Sequence, residues 1–148
     1  MTRVVVTGIG MVTPLAPNVK NTWDELINGK SGINKIKSFD TSDLAVKIAG
    51  QIPVNDEKFA FDPNLHMEPK DQRKVDDFIL YAVAAADQAI EDAGLIDIKP
   101  ELAERTGVLI GSGIGGLQSI AKANETLKEK GPRRMSPFFI PSCLINLA

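Results

Sequence analysis

Residues that cross-link a chain or bind metal are almost absent here. There is one cysteine, Cys143, so no internal disulfide can form, and a lone thiol suits a reducing compartment. With a single histidine, His66, beside that thiol, a structural zinc site would lack ligands. Long apolar runs are missing too: nothing approaches the ~18 residues of a membrane-spanning helix. The valines at 4–6 are broken at once by Thr7 and Gly8, so no secretory signal is expected. Charge of neither sign is in surplus, with 17 Lys+Arg against 19 Asp+Glu and a formal net charge of −2. That balance gives no global pull towards nucleic acid or an anionic membrane. These absences leave a cytoplasmic globular protein. At 148 residues, 43% of them apolar and 24% charged, it fits one domain or part of a larger one.

What the chain does have is glycine concentrated in one place, Gly107-Val-Leu-Ile-Gly-Ser-Gly-Ile-Gly-Gly116. Val108, Leu109 and Ile110 read as a short strand buried on both faces. Gly111, Gly113, Gly115 and Gly116 then let the backbone approach something closely, because no Cβ intervenes. Leu117 opens a helical pattern reaching Lys130. Strand, glycine turn and helix in that order make an α/β arrangement, in which ligands sit at the carboxyl ends of strands.

The rest of the chain supplies the frame. Arg3 to Thr7 reads as another buried strand. Pro14 and Pro17 keep the following loop from turning helical early. Asn18 is placed as an N-cap for a helix carrying Val19, Trp23, Leu26 and Ile27, with Gly29 as its stop. Short strands are expected near Ile33 and over Val46 to Ala49, and a charged loop over 55–64. Pro69 to Ala93 reads as one long helix, apolar almost all round from Leu80 to Ala86 and therefore buried on most sides. Leu95 to Arg105 is a connection, and Gly131 to Arg134 a loop. Phe138, Phe139, Ile140, Leu144, Ile145 and Leu147 crowd the last eleven residues and call for cover, by a partner or by more of the fold.

Four constellations could carry chemistry. Gly111 to Gly116 matches G-x-G-x-x-G, but the acidic residue at the right distance, Glu129, lies at a polar helix end with no strand before it. Cys143 follows Pro141 closely enough to sit in a first helical turn, yet its neighbours are apolar and the only histidine is remote, so an inert thiol is the better reading. Nothing marks His66 as a base. Lys70, Arg73 and Lys74 share one face near a helix start, where cations oppose the macrodipole at about 0.3–1 kcal/mol each. Keeping them there raises the case for an anionic partner.

Taken in order, several stretches resemble one family. They are Val4-Val-Val-Thr-Gly-Ile-Gly-Met-Val-Thr-Pro14, Thr22-Trp23, Gly29-Lys-Ser-Gly-Ile33, Phe39-Asp40, Asp71-Gln-Arg-Lys-Val-Asp76 and Asp92-Ala-Gly94. Gly111 to Gly116 and Gly131-Pro-Arg-Arg-Met-Ser-Pro-Phe-Phe-Ile-Pro141 complete the set. The chain is similar to the N-terminal part of the type II, chain-elongating β-ketoacyl-acyl-carrier-protein synthases. The resemblance implies an α/β, thiolase-like fold, here an incomplete N-terminal half with a layered sheet and a buried helix. It implies an acyltransferase of fatty-acid synthesis that joins an acyl thioester to malonyl-carrier protein by decarboxylative Claisen condensation. A homodimer and no cofactor go with it.

Residue by residue, Ile114 matches the apolar residue at the mouth of the acyl pocket, and Phe139, Ile140 and Cys143 match a segment lining that pocket across the dimer interface. Lys70, Arg73 and Lys74 match the patch that docks the acidic carrier protein. The family's nucleophile stands in a Thr-Ala-Cys type motif after the Ser-Pro-Phe-Phe stretch, and its two histidines and lysine stand further on. Residues 1–148 are thus expected to be a partial N-terminal synthase domain ending before that motif. Neither Cys143 nor His66 inherits a catalytic role, and this chain alone is expected to be inactive. Two other readings stay open: a non-catalytic partner of the chain-length-factor kind, and a nucleotide-binding α/β module.

Overall fold

The computed structural model describes residues 3–55 and 57–148. Asp56, inside the charged loop expected at 55–64, lies outside the described residues. The first helix, α1 (Val19–Ile27), begins where the sequence places it. Asn18 is extended, and its side chain accepts from the Asn21 N–H at 2.9 Å. Gly29, at φ +68°, turns the chain out of it. Thr22 faces inward from α1, and its hydroxyl meets that of Thr13 at 2.9 Å. Thr13 Oγ1 also accepts from the N–H groups of Leu15 and Ala16, which seats the proline loop on the helix.

Two short strands, β1 (Ile33–Lys35) and β2 (Ile48–Gly50), pair antiparallel, with Ile33 opposite Gly50 and Lys35 opposite Ile48. After a 3-10 turn at Pro63–Leu65 the helix expected over 69–93 is two helices, α2 (Pro69–Gln72) and α3 (Asp77–Asp92). Asp76 breaks it by taking an extended conformation (φ −86°, ψ 160°) at the N-cap position of α3. Hydrophobic spacing runs through the break and cannot reveal it. Burial on α3 is also narrower than expected: Ile79, Leu80 and Ala84 are buried, while Ala82, Val83 and Ala86 are half-buried. Phe61, Leu80 and Ala84 form the core, with Val12, Ile52, Met67 and Tyr81 packed around it.

The first segment runs along α3. A Cβ on Gly8 would stand 2.1 Å from the carbonyl oxygen of Ala89, and one on Gly10 only 1.8 Å from that of Ala85. The Ile9 N–H donates to Asp92 Oδ2 at 2.9 Å, and Gln88 donates to the Pro17 carbonyl at 2.9 Å. These glycines serve backbone-to-helix contact.

The strands expected at 3–7 and 108–110 are not formed among the described residues. Val4 is 92% exposed and Leu109 98%. A strand exists only through a hydrogen-bonded neighbour, and neither segment has one here. Apolar runs record what a segment can bury, not whether a partner lies beside it. Beyond α3, the connection contains one unexpected turn of helix, α4 (Pro100–Ala103), opened by its proline. Then come α5 (Leu117–Lys130), with the expected bounds, a 3-10 turn at Pro132–Arg134, α6 (Phe139–Cys143) and a last 3-10 turn at Ile145–Leu147. Among the described residues no helix is long and apolar enough to cross a membrane.

Candidate functional site

The glycine stretch approaches the protein's own backbone. Gly115, at φ +79°, has no room for a Cβ, which would meet the Cys143 carbonyl oxygen at 2.6 Å. On Gly116 it would meet the Ser142 carbonyl oxygen at 2.7 Å and Cys143 Cα at 2.8 Å. The Gly116 N–H donates to the Cys143 carbonyl at 3.2 Å. The N–H of Ser119, in the first turn of α5, donates to Asp76 Oδ2 at 2.9 Å. This corrects the nucleotide reading on physical grounds. A phosphate cradle needs free N–H donors and tolerable charge, whereas here the N–H groups of Gly115, Gly116, Leu117 and Ser119 are engaged and a carboxylate already stands at the helix start. Gly111 and Gly113, by contrast, have nothing within 4 Å.

The residues expected to line an acyl pocket are partly gathered. Ile114 precedes Gly115, the glycine packed on Cys143, so the loop and the end of α6 form one unit. Ile114 is 68% exposed, Ile140 is exposed, and Phe139 and Cys143 are half-buried. Cys143 is the last residue of α6, not part of a first turn, so it faces the carbonyl end of the helix. Pro141 sits inside this five-residue helix rather than opening it. Phe138, Leu144, Ile145 and Leu147 remain exposed, so the cover that the sequence calls for is not provided by the described residues.

The basic trio looks different from its sequence picture. α2 ends at Gln72, with Arg73 as its C-cap, so Arg73 and Lys74 lie beyond the carbonyl end of a one-turn helix. The argument from an opposed macrodipole therefore falls. Lys70 pairs with Glu68 at 2.6 Å and Lys74 with Asp71 at 2.6 Å. The Lys74 hydrogen bond, and then the Lys74 and Lys70 charges, hold the Asp71 carboxyl below its ordinary range. Lys74 Nζ also lies 5.6 Å from the centre of the Phe138 ring.

Arg73 opens instead into a cavity of about 420 Å³ between the α2–α3 junction, α5 and the approach to α6. Lys122 and Arg134 line it with Arg73, over Phe138 and Phe139, and no carboxylate is among its lining residues. One residue of each expected set, Arg73 and Phe139, thus meets in a single cavity. Lys122 and Arg134 were not singled out from sequence. Arg134 stands in a motif that the resemblance uses, but only packing shows which face of α5 carries Lys122.

His66 is a packing residue. Its Nδ1 lies 3.0 Å from Asp87 Oδ2 and its ring stacks on Phe61 at 5.9 Å, which fastens the loop before α2 to α3. No cluster of three or more potential metal ligands occurs among the described residues.

With this geometry in view, comparison with known proteins is specific. The family profile described as "Beta-ketoacyl synthase, N-terminal domain" matches residues 1–148. The 3-oxoacyl-(acyl-carrier-protein) synthase 2 of Rhizobium meliloti is 54% identical over 152 residues, covering 100% of this chain and 35% of that protein. Its namesake from Vibrio cholerae is 47% identical over 98% of this chain and 33% of its own length. The chain therefore spans about a third of the length of these relatives. Among solved structures, a β-ketoacyl synthase from Burkholderia phymatum superposes with a TM-score of 0.75 at 24% identity over 99% of this chain and 35% of that one. The ishigamide ketosynthase/chain length factor gives 0.69 at 28% identity over 92% of this chain and 32% of its own. These likenesses put the chain in the thiolase-like fold that the sequence implies.

Proposed function

We propose, from the premise that the chain belongs to the β-ketoacyl synthases through their N-terminal domain, that it supplies the carrier-docking face and one acyl-pocket wall of a fatty-acid condensing enzyme. The reaction is decarboxylative Claisen condensation: loss of CO₂ from a malonyl thioester leaves a carbanion equivalent that attacks the carbonyl of an acyl thioester and expels the thiol. Carrier proteins that deliver such thioesters are acidic, and the relatives are named for acyl-carrier protein.

One observation carries the reading. Three cations with no carboxylate among them line a cavity whose other residues include two phenylalanines. Arg73, Lys122 and Arg134 attract and orient an acidic surface. Phe139, with Ile114 and Cys143 nearby, offers apolar contact to the chain being carried. Ile140, exposed on α6, fits a surface that a second copy covers in a homodimer. Lys70 and Lys74, already paired with Glu68 and Asp71, contribute less than Arg73. No residue of the chain is assigned to bond making. Cys143 is the last residue of α6, half-buried against the Gly115–Gly116 backbone. The domain is thus read as 1–148, without the nucleophile motif, and the purified chain is expected to release no CO₂ from malonyl-carrier protein. Measurable decarboxylation would refute this.

Calorimetry with acyl-carrier protein tests the docking role. Charge reversal at Arg73, Lys122 and Arg134 together is expected to weaken binding by tenfold or more, at roughly 0.5–1 kcal/mol per charge. Added salt is expected to weaken the wild type too, since exposed charges are screened beyond ~8 Å at physiological strength. Equal affinity of variant and wild type, or insensitivity to salt, would remove the proposal. A second reading, a non-catalytic chain-length-factor type of partner, draws on the likeness to the ishigamide ketosynthase/chain length factor. A Thr-Ala-Cys motif encoded downstream in the same gene would decide against it.

A further inference from the structure

Among the described residues Asp76 is the only buried carboxylate, at 9% exposure. It stands at the N-cap of α3 but makes no capping bond to that helix. Its Oδ2 accepts instead from Ser119 of α5, 43 residues away. Gly116, the N-cap of α5, has no side chain with which to cap it. So α5 is capped by a charge borrowed from another helix. This satisfies one of its orphan donors and sets a carboxylate against the positive end of the helix.

The same oxygen lies 3.2 Å from where a Cβ would stand on Gly116, and Gly116 in turn donates its N–H to the Cys143 carbonyl. Asp76, Gly116 and Cys143 therefore lie in one line of contacts across three helices. Upstream of Asp76 in the same short turn are Arg73 and Lys74, and Lys74 reaches Phe138 at the start of α6. The turn between α2 and α3 is thus tied to both ends of α6, once through each side chain.

We propose that Asp76 is a positioning residue that fixes the Gly111–Gly116 loop, and with it Ile114 and the Cys143 end of α6, relative to the cations at 73 and 74. The role rests on reading Ile114 and Cys143 as an acyl-pocket wall, and it sets that wall at a defined distance from the docking charges. Without the carboxylate the Ser119 N–H loses its acceptor and the loop loses its anchor.

Native-state hydrogen exchange on the full 148-residue chain tests this. Asp76→Ala should speed exchange at Gly116 and Ser119 by about tenfold or more, with shifts in the Ile114 and Cys143 resonances, while α1 and the β1–β2 pair stay protected. Asp76→Asn keeps an oxygen in place but loses the charge, and should raise exchange at Ser119 by a smaller factor, roughly threefold. Unchanged exchange at Ser119 in Asp76→Asn overturns the proposal, even if the alanine variant does not fold. So does a rise spread evenly over all amides, which a merely structural role would give. Carrier affinity measured on the same samples separates the two ideas. Intact affinity with unchanged exchange overturns only the positioning role, and lost affinity on reversal of Lys122 and Arg134 concerns docking alone.

Discussion

At the scale of single residues, glycine and aspartate carry most of the account. Gly8 and Gly10, which the sequence does not mark for close approach, prove to make one, as do Gly115 and Gly116, which it does mark, while Gly111 and Gly113 face open space. What sequence could not supply was the surface approached, which is α3 for the first pair and α6 for the second. A glycine declares only that a side chain is unwelcome. Gly116→Ala therefore forces two backbone atoms of Ser142 and Cys143 aside, and should cost about 1–3 kcal/mol, the usual range for overpacking. Denaturant melts check this, and an unchanged midpoint would contradict the packing described. Tyr81 gives a second prediction. Burial first, then the charges of Asp77 and Asp76, push its phenol up to about 12, from an ordinary value of 10.0. The folded state holds this proton more tightly than the unfolded state, so its contribution is fully present below about 10 and is lost as pH rises to about 12. Tyr81→Phe should show a shallower loss of stability across that window than the wild type. Identical alkaline slopes would count against the burial of Tyr81.

At the scale of elements, features that a segment carries within itself are legible, and those that depend on a distant segment are not. α1 is readable from a cap, an apolar stripe and a glycine stop, and α5 from a helical pattern lying between Gly116 and Gly131, all local to the segment. The one long helix is two, with Asp76 extended at the break and in contact with Ser119, a long-range contact that spacing does not encode. β1 and β2 form close to where weak signals stand, joined by residues 36–47. The stronger signals at 3–7 and 108–110 formed nothing, because pairing is a property of two segments. The α1 cap can be tested. Asn18→Ala removes the acceptor for Asn21, which should cost about 1 kcal/mol and lower the melting midpoint by about 3 °C. A midpoint unchanged within error would show that the cap contributes nothing.

At the scale of the whole molecule, the family was legible from ordered motifs, and comparison bears it out over residues 1–148. The candidate site was legible in part. Arg73 and Phe139 were named from sequence, but their meeting in one cavity depends on how α5 packs beside α6. Lys122 and Arg134 join them for the same reason. Lys70 and Lys74 looked equivalent to Arg73 until their neighbouring acids were seen to hold them. The central claim is that this cavity and its cations receive an acidic carrier beside an apolar wall. The most direct measurement is the amide spectrum of the isotope-labelled chain during titration with acyl-carrier protein. The account predicts shifts concentrated at Arg73, Lys122, Arg134 and Phe139 that fade as salt is raised. Shifts absent there, or confined to α1 and the β1–β2 pair, would contradict it.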